Sequence, residues 1–439
     1  MTDLFKKIVP FRSESVKEYD CREDCYLRIY ENADKTELKK WISALIDDGF
    51  KILLQRELCG NTYYELEKDV VVTAYLTPCD GTLRITVSGR KNSPNFVPVE
   101  CKKQCETAFY VFENDHSLID CGMCLLVQCS DYSFFVVDSG HYLQFNDNDR
   151  IYNFMRERTP EGQKVIVNGW LLTHAHTDHI SKFMDFLRYN MHDVVIEGIY
   201  SNLLPSEYYN EKWHGEETEL GMKLFDLMEK RTDIPKYKIH AGQRFYIRNL
   251  AFDILGTHED IHPDFIEDFN DSSCVVMLEV EGSRVFIPGD ASALASKKLE
   301  ARYGNNLKCD VAQVAHHGHN GLSKHAYELL NPSLAVFPIT RIKFDEEYPK
   351  VEANRRLIEI ADKYYISSDG TVKIPLPYSL ETVETLPDES FEDFPKIKRL
   401  WHYDYTDERK EELYRIFLEH SGALDKFVIP TSPKGNFDM

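Results

Sequence analysis

The chain has 439 residues, of which 43% are hydrophobic, and this is enough for two or three domains with buried cores. Its 52 basic and 73 acidic residues give a net charge of −21, and so acidic a surface repels the backbone of nucleic acids. No segment approaches the roughly twenty apolar residues of a membrane span, and the first ten residues lack the apolar core of a signal peptide. The 11 cysteines are odd in number and scattered. We therefore expect a cytoplasmic protein without nucleic-acid or membrane partners.

Residues 1–115 are predicted to form a small α+β module. Asp34 and Glu37 make a capping-box pattern ahead of an apolar helical stripe that ends at Gly49. Strand-like runs follow at residues 51–54, 62–66, 70–76 and 83–87. The module contains no catalytic constellation, so we expect it to be a scaffold or a lid over a substrate.

Nine of the cysteines precede residue 130. The pairs Cys21 with Cys25 and Cys101 with Cys105 are each separated by three residues, a spacing that permits a structural zinc site without requiring one. Cys121 stands at the start of a strand-like apolar run, and we interpret it as a core residue.

The densest group of ligand-type side chains lies in residues 173–179, with the sequence Thr-His-Ala-His-Thr-Asp-His. This segment follows an apolar run that is predicted to be a buried strand, and it precedes a predicted helix. His174 and His176 are two positions apart on extended chain and point to the same side, whereas Asp178 and His179 come after the turn into the helix. The bend lets one segment present two ligand pairs in different directions, which suits two adjacent metal ions.

Two later apolar runs end in the same kind of chemistry. One ends in a glycine and Asp290, a carboxylate that could bridge two metals. The next ends in His316 and His317, followed by a glycine that allows close approach of the backbone. Three strands that each end in ligands would place all of these side chains at one edge of a sheet. The sequence therefore predicts a metal centre that acts on a small molecule.

These segments, together with residues 134–140 and 270–279, resemble the metallo-β-lactamase-fold hydrolase superfamily. The resemblance is to the branch that holds the metallo-β-lactamase-like domain of DNA-uptake competence proteins and the phosphorylcholine esterases, and it covers roughly residues 117–375. It implies an α/β fold, a four-layer αββα sandwich with the metal centre at the sheet edge. We expect this domain to span residues 116–377.

The resemblance also implies a role for individual residues. It implies His174 and His176 for the first metal, Asp178 and His179 with His316 or His317 for the second, Asp290 as the bridge, and Asp138 behind the ligands to orient them. The superfamily has a further ligand that many members of this branch lack. His258, with His262 as a substitute, could supply it or could instead face solvent or substrate.

The catalytic chemistry would follow from the metals. Two metals roughly 3.5–4 Å apart lower the pKa of a bridging water and stabilise the charge of an in-line displacement. Asp178 could hold that water as well as a metal. His317, His319 or His325 could supply the proton for the leaving group. His319, which stands where this branch commonly has serine, could equally be an ordinary loop residue.

We therefore expect a hydrolase that uses one or two divalent metal ions, with ligands suited to zinc, manganese or iron. The expected substrate is a small phosphodiester or a related ester. Hydrolysis of a lactone, lactam or thioester at the same site is an alternative, and so is a non-catalytic metal-binding sensor. The oligomeric state is not predicted.

Two further regions complete the organisation. Residues 207–231 are predicted to contain a helix beside the mouth of the site, and the aromatic side chains near its start could line a substrate pocket: Tyr208, Tyr209, Trp213 and His214. Residues 351–365 are predicted to be a helix. Residues 378–439 are predicted to be an acidic linker followed by an amphipathic helix at residues 406–419.

Overall fold

A computed structural model describes residues 4–386, except residues 13–16, 117–118, 145, 206–214, 263, 265 and 267. Most of the predicted C-terminal tail, including its helix, therefore lies outside the described residues. The same holds for the four side chains expected to line a pocket, Tyr208, Tyr209, Trp213 and His214. Within the described part of the chain, no helix combines the length and the hydropathy that crossing a lipid bilayer requires.

The chain forms strands and helices with the following bounds. The strands are β1 (Lys17–Asp20), β2 (Cys25–Glu31), β3 (Lys51–Leu58), β4 (Asn61–Glu67), β5 (Val71–Thr77), β6 (Thr82–Ser88), β7 (Thr107–Val111), β8 (Cys124–Gln128), β9 (Phe134–Asp138), β10 (Val165–Leu172), β11 (Val194–Ile196), β12 (Ile199–Ser201), β13 (Lys236–Lys238), β14 (Arg244–Ile247), β15 (Leu250–Gly256), β16 (Val275–Val280), β17 (Ser283–Ile287), β18 (Val311–Gln313), β19 (Leu334–Phe337), β20 (Lys363–Ile366), β21 (Thr371–Leu376) and β22 (Glu384–Leu386). The helices are α1 (Lys35–Asp47), α2 (Asp147–Glu157), α3 (Thr177–Tyr189), α4 (Gly215–Lys230), α5 (Ala293–Tyr303), α6 (Lys324–Leu330), α7 (Arg341–Glu347) and α8 (Glu352–Ile360).

The first sheet is antiparallel and has the strand order β1-β2-β6-β5-β4-β3. Helix α1 covers one face with its apolar stripe, which includes Leu38, Trp41 and Leu45. The side chain of Asp34 caps this helix together with Glu37, which confirms the predicted capping box. Strands β3 to β6 confirm the four predicted runs, whereas β1 and β2 were not predicted.

The opposite face of the first sheet packs on the rest of the molecule through buried polar contacts. The hydroxyl oxygens of Tyr75 and Tyr303 are 2.9 Å apart, and Asn61 donates a hydrogen bond to the carbonyl of Arg302. The Arg84 guanidinium donates to the carbonyl of Glu259 at 2.9 Å. The N-terminal module is thus docked on the larger domain through directional bonds.

The second and third sheets form the larger domain. The second has the order β13-β12-β10-β9-β8-β7-β21-β22, with β11 also paired to β10. The third has the order β14-β15-β16-β17-β18-β19-β20, antiparallel as far as β17 and parallel from there onwards. Strand β7 lies before the expected domain boundary at residue 115 and yet pairs with β8 and β21, and β22 lies beyond the expected end at residue 377.

These two sheets pack face to face and carry helices on their outer faces. Phe135 and Val137 of the second sheet meet Phe252 and Val276 of the third in one apolar core. Helices α2, α3 and α4 cover the outer face of the second sheet, and α5, α6, α7 and α8 cover the third. This arrangement confirms the predicted four-layer αββα sandwich.

One predicted element was wrong in its second half. Helix α8 ends at Ile360, and Lys363–Ile366 is strand β20, which pairs with β19 in parallel. Two tyrosines and an isoleucine in this strand favour extended chain. The free edge of β19 gives that segment hydrogen-bond partners that a continued helix would not use.

Candidate metal centre

The predicted ligands lie where strands of the two packed sheets end. In the second sheet, β9 ends at Asp138, and the parallel strand β10 leads into His174. In the third sheet, β17 precedes Asp290, and the parallel strand β18 precedes His317. The ends of these strands meet at one edge of the sandwich.

The ligand side chains form two groups that share one carboxylate. Asp178, His179, Asp290 and His317 make up one group, and His174, His176 and Asp290 make up the other; within each group the ligand atoms lie within 4.8 Å of one another. Asp290 Oδ2 is 3.1 Å from His179 Nε2, 3.3 Å from His317 Nε2 and 4.0 Å from His174 Nε2. A bridging carboxylate would have this position.

Hydrogen bonds on the far side of the rings decide which nitrogen faces the centre. The Nδ1 of His317 donates to the carbonyl of Pro338 at 2.8 Å, and the Nδ1 of His179 lies 2.7 Å from the Asp138 carboxylate. Because a carbonyl or carboxylate oxygen only accepts, each Nδ1 carries a hydrogen, and the lone pair of each neutral ring would lie on the Nε2 that faces the centre.

Asp138 holds the histidine segment from behind. Its carboxylate accepts hydrogen bonds from the backbone N–H of Thr173 at 2.8 Å and from the Thr173 hydroxyl at 2.6 Å, in addition to the bond from His179. The Trp170 indole donates to the Asp138 carbonyl. This one residue fixes both the start of the segment and the ring of His179, which is the place that sequence analysis expected for it.

Two buried polar atoms show that the residues fit a cation. His174 Nε2 and Asp290 Oδ1 have no hydrogen-bond partner among the described residues. Leaving such an atom unsatisfied costs about 1–3 kcal/mol. A divalent cation held by imidazole and carboxylate would satisfy both atoms, and these are ligand types that zinc, manganese and iron accept.

The charges of the centre also call for a cation. Burial acts against protonation of His179, but Asp290, Asp178 and Asp138 raise its pKa well above its ordinary value. Burial likewise opposes the charge of His317, yet Asp290 and Asp178 raise its pKa to about 10. Burial acts to raise the pKa of Asp290, and the imidazoles lower it well below its usual range. The carboxylates thus attract positive charge, which a metal bound to the Nε2 lone pairs would supply.

The structure separates the two histidines that sequence analysis left as alternatives. His317 belongs to the ligand group around Asp290. His316 has a left-handed backbone, φ 52°, and its Nε2 lies 3.3 Å from the amide nitrogen of Asn270. The geometry therefore favours His317 as the ligand and places His316 beside the centre.

The other candidate proton donors differ in their surroundings. The ring of His319 lies 5.2 Å from that of His316 and is tilted by 60° to it. Burial, followed by the charges of His316 and His317, lowers the pKa of His319 to about 4. At neutral pH His319 is uncharged, so it suits a hydrogen-bond or base role better than proton donation. His325 is exposed and pairs with Glu328 on α6.

His258 is not brought to the shared carboxylate. Its ligand atom groups instead with those of Cys21 and Glu259, and its Nε2 lies 2.9 Å from the side-chain oxygen of Asn202. The substitute candidate, His262, stacks on Tyr19. The structure thus does not support the expectation that His258 completes this centre, because the chain after β15 turns towards the N-terminal module.

Some residues at the centre were missed or misread from the sequence. The thiol of Cys121, interpreted as a core residue, is hydrogen-bonded to the Asp178 carboxylate, and burial with the charge of Asp178 raises the pKa of this thiol well above its usual range. Asp268 lies 3.5 Å from His176 Nε2. No local signal marks Cys121, since it reaches Asp178 through tertiary structure: the backbone N–H of Met123, just before β8, donates to the carbonyl of Asp178 at 3.2 Å.

Comparison with known proteins agrees with this fold. Residues 122–337 match a family model described as the Metallo-beta-lactamase superfamily. Among curated proteins no match was found.

Several solved structures are similar. The metallo-beta-lactamase fold protein YhfI from Bacillus subtilis is 10% identical, with a TM-score of 0.38 over 60% of this chain and 96% of that one. Unliganded yeast PDE1 is 11% identical, with a TM-score of 0.36 over 60% of this chain and 98% of that one. A diphosphatase from the PhnP family is 14% identical, with a TM-score of 0.36 over 62% and 98%. The family match and the αββα layers together assign residues 122–337 of this chain to the metallo-beta-lactamase superfamily.

Proposed function

We propose that this protein is a metal-dependent hydrolase that uses water to cleave a small phosphodiester or a related ester. The observation that carries the proposal is the carboxylate of Asp290, which two ligand groups share and which has one buried oxygen without a hydrogen-bond partner among the described residues. A sensor that binds a single metal would have no need of a shared carboxylate.

Different residues of the centre would hold each cation. His174 and His176 would hold one cation, Asp178, His179 and His317 the other, and Asp290 both. One or two divalent cations, when bound, would supply a nucleophilic water at neutral pH and would hold an oxygen of the substrate. The Asp138 carboxylate and the Pro338 carbonyl would keep the imidazoles oriented throughout.

The partly exposed side of the centre suggests how a substrate would enter. The side chains of His174 and His179 are fully buried, whereas those of His176 and Asp178 are 15% and 12% exposed. The side-chain nitrogen of Asn270 and the Nε2 of His316 lie 3.3 Å apart, and an N–H group that this contact does not use would be available to a phosphoryl oxygen. The net charge of −21 favours a small ester over a polyanion. The resemblance of the sequence to competence-protein domains and phosphorylcholine esterases stays a prediction. Together with the net charge, it supports a phosphodiester as the substrate.

The test is a substrate panel on protein loaded separately with zinc, manganese and iron. The panel contains bis-nitrophenyl phosphate, nitrophenyl-phosphorylcholine, a β-lactam and a lactone. We expect metal-dependent turnover of the phosphodiesters. Turnover of the lactone alone would overturn the substrate class, and bound metal without any turnover would favour the sensor. Less than about a tenth of an equivalent of metal after loading would contradict the metal centre itself.

A further inference from the structure

A second group of buried ligand-type side chains lies between the N-terminal module and the larger domain. It consists of Cys21, His258 and Glu259, whose ligand atoms lie within 4.8 Å of one another. Cys21 and His258 are 0% exposed and Glu259 is 4% exposed. Cys21 follows β1 of the module, whereas the other two residues follow β15 of the larger domain. The group therefore spans the interface.

The tautomer of His258 is decided by its neighbour. The side-chain amide of Asn202 donates to the carbonyl of Ile239 at 2.8 Å, which leaves its oxygen facing His258 Nε2 at 2.9 Å. The Nε2 must then carry the hydrogen, and Nδ1 carries a lone pair. This Nδ1 is buried and has no hydrogen-bond partner within the described part of the chain. Such an imidazole is ready to bind a metal.

Glu259 is held as a carboxylate in the same place. The Nδ1 of His240 lies 2.9 and 3.1 Å from its two oxygens. Burial acts to raise the pKa of Glu259, but His240 lowers it to about 2. Arg84 of the module binds the carbonyl of the same residue. A charged, oriented oxygen donor thus faces the thiol and the imidazole.

The turn after β1 places a second thiol, that of Cys25, near the group but outside its set of ligand atoms. The backbone N–H of Cys21 donates to the carbonyl of Cys25, and that of Cys25 donates to Arg22, which closes a tight turn. Cys25 is fully buried and interacts electrostatically with both Cys21 and Glu259. The ammonium of Lys238 donates to the carbonyl of Cys21 at 2.7 Å.

We propose that Cys21, His258 and Glu259 bind a structural zinc ion that joins the N-terminal module to the metallo-beta-lactamase domain. One thiolate and one carboxylate carry two negative charges, which the zinc ion balances. Thiolate and imidazole are preferred zinc ligands, and structural zinc sites are closed to solvent, as this one is. Binding would release the thiol proton of Cys21 to solvent.

The spacing of the cysteines also permitted a zinc site that would include Cys101 and Cys105. Cys105 donates a hydrogen bond to the carbonyl of Cys129, and Cys101 accepts one from Ser130. Neither belongs to the ligand group of Cys21. The structure therefore does not bring the two cysteine pairs together in one zinc site, because Cys101 and Cys105 lie beside β8.

Cobalt provides a probe that separates the two metal sites. Full-length protein is stripped of metal, reconstituted with Co²⁺ without oxygen, and examined for the thiolate-to-cobalt charge-transfer band in the near ultraviolet. The ligands proposed for the hydrolytic centre are nitrogen and oxygen atoms, so a thiolate band reports the interface site. We expect the band in the wild type and its loss in Cys21→Ser and His258→Gln. The glutamine can still donate to Asn202, so that variant separates loss of the ligand from misfolding.

Matched variants decide the assignment. Cys121→Ser removes the thiol that is hydrogen-bonded to Asp178, and Cys309→Ser removes a buried cysteine from the core between the third sheet and its helices. The band must persist in both variants. A wild type without the band, or a band that survives Cys21→Ser and disappears in Cys121→Ser, would overturn the proposal. Asp290→Asn should keep the band whatever it does to hydrolysis, so failure of the hydrolase proposal and failure of this one are distinguishable.

Discussion

The two buried ligand groups of this protein differ in their access to solvent. At the strand ends, His176 and Asp178 keep part of their side chains exposed, whereas Cys21 and His258 at the module interface are fully buried. Catalytic metal sites need a position open to water and substrate, and structural sites are closed by protein ligands. The difference fits the two proposed roles, because only the first group is open to the water and substrate that turnover requires.

The groups also differ in how the chain assembles them. Four of the ligands at the strand ends come from the segment 174–179, with Asp290 and His317 delivered by neighbouring parallel strands. The interface group needs two separate regions of the chain to dock before Cys21 meets His258 and Glu259. Loss of a ligand should therefore affect chemistry at the first group and stability at the second.

The largest effect is expected from Asp290→Asn. Because both ligand groups share this carboxylate, its loss should lower kcat/KM on a phosphodiester by roughly 1,000-fold, equivalent to about 4 kcal/mol of transition-state stabilisation. Steady-state kinetics and metal content measure the effect. Asp233→Asn, at an exposed position paired with Arg231, is the control and should behave as the wild type. Activity within tenfold of the wild type would remove Asp290 from the mechanism.

A smaller effect is expected when the residue that orients a metal ligand is changed. In Asp138→Asn an amide N–H₂ replaces an oxygen that accepts from His179 and Thr173, so the affinity for zinc should fall by about 10- to 100-fold. Competition with a chromophoric chelator measures this affinity. Thr173→Val removes one donor and keeps the bond to His179, so its loss should be less. Equal affinities in wild type and Asp138→Asn would show that the carboxylate does not orient the ligand.

At the interface group the effect should appear in stability. A zinc ion present at a hundred times its Kd adds about 2.7 kcal/mol, which corresponds to roughly 5 °C in Tm for a domain of this size. Chelation should therefore lower the Tm of the Asp290→Asn protein by that amount, and the same treatment of Asp290→Asn combined with Cys21→Ser should have no further effect. In Asp290→Asn combined with Cys309→Ser, chelation should lower the Tm as it does in Asp290→Asn alone. An equal change of Tm in the two double variants would contradict a structural zinc ion at Cys21.

The smallest effect concerns acid stability, with one buried histidine near each group. Burial lowers the pKa of His262 to about 4; the charges of Lys17 and Arg84 lower it further, and the charge of Glu259 opposes them. Burial and neighbouring positive charges likewise lower the pKa of His319 to about 4. In the unfolded chain both titrate near pH 6.5. As the pH falls from about 6.5 to about 4, only the unfolded chain takes up these protons, so the free energy of unfolding declines in that window and is fully present above it.

Denaturant unfolding of metal-stripped protein at several pH values measures this decline. Each histidine should account for up to about 1.4 kcal/mol per pH unit. His262→Gln and His319→Gln should each flatten the slope, and His325→Gln, at an exposed position, should not change it. A slope unchanged in both buried variants would show that these imidazoles titrate normally in the folded protein.

Much of the fold and of the candidate metal centre could be predicted because the signals are local. The capping box at Asp34 and the apolar stripe of α1 lie within one short stretch of sequence. The histidine segment that follows β10 is also short and continuous. Strand ends of parallel neighbours meet at one edge by geometry, so the convergence of Asp290 and His317 followed from the pattern. Short strands such as β1, and the strand β20 behind α8, lack such a signal and form because a sheet edge offers hydrogen bonds.

By itself, then, the sequence determined the sandwich and the strand ends at which imidazoles and carboxylates gather, since periodicity and spacing act over a few residues. Only the tertiary structure decided that His317 and not His316 faces Asp290, that Cys121 reaches Asp178, and that His258 turns to Cys21. These outcomes depend on a left-handed backbone at two histidines and on the docking of one sheet against a distant loop. Contacts between residues that are distant along the chain, such as Cys21 and His258, have no local pattern, because packing of whole elements creates them.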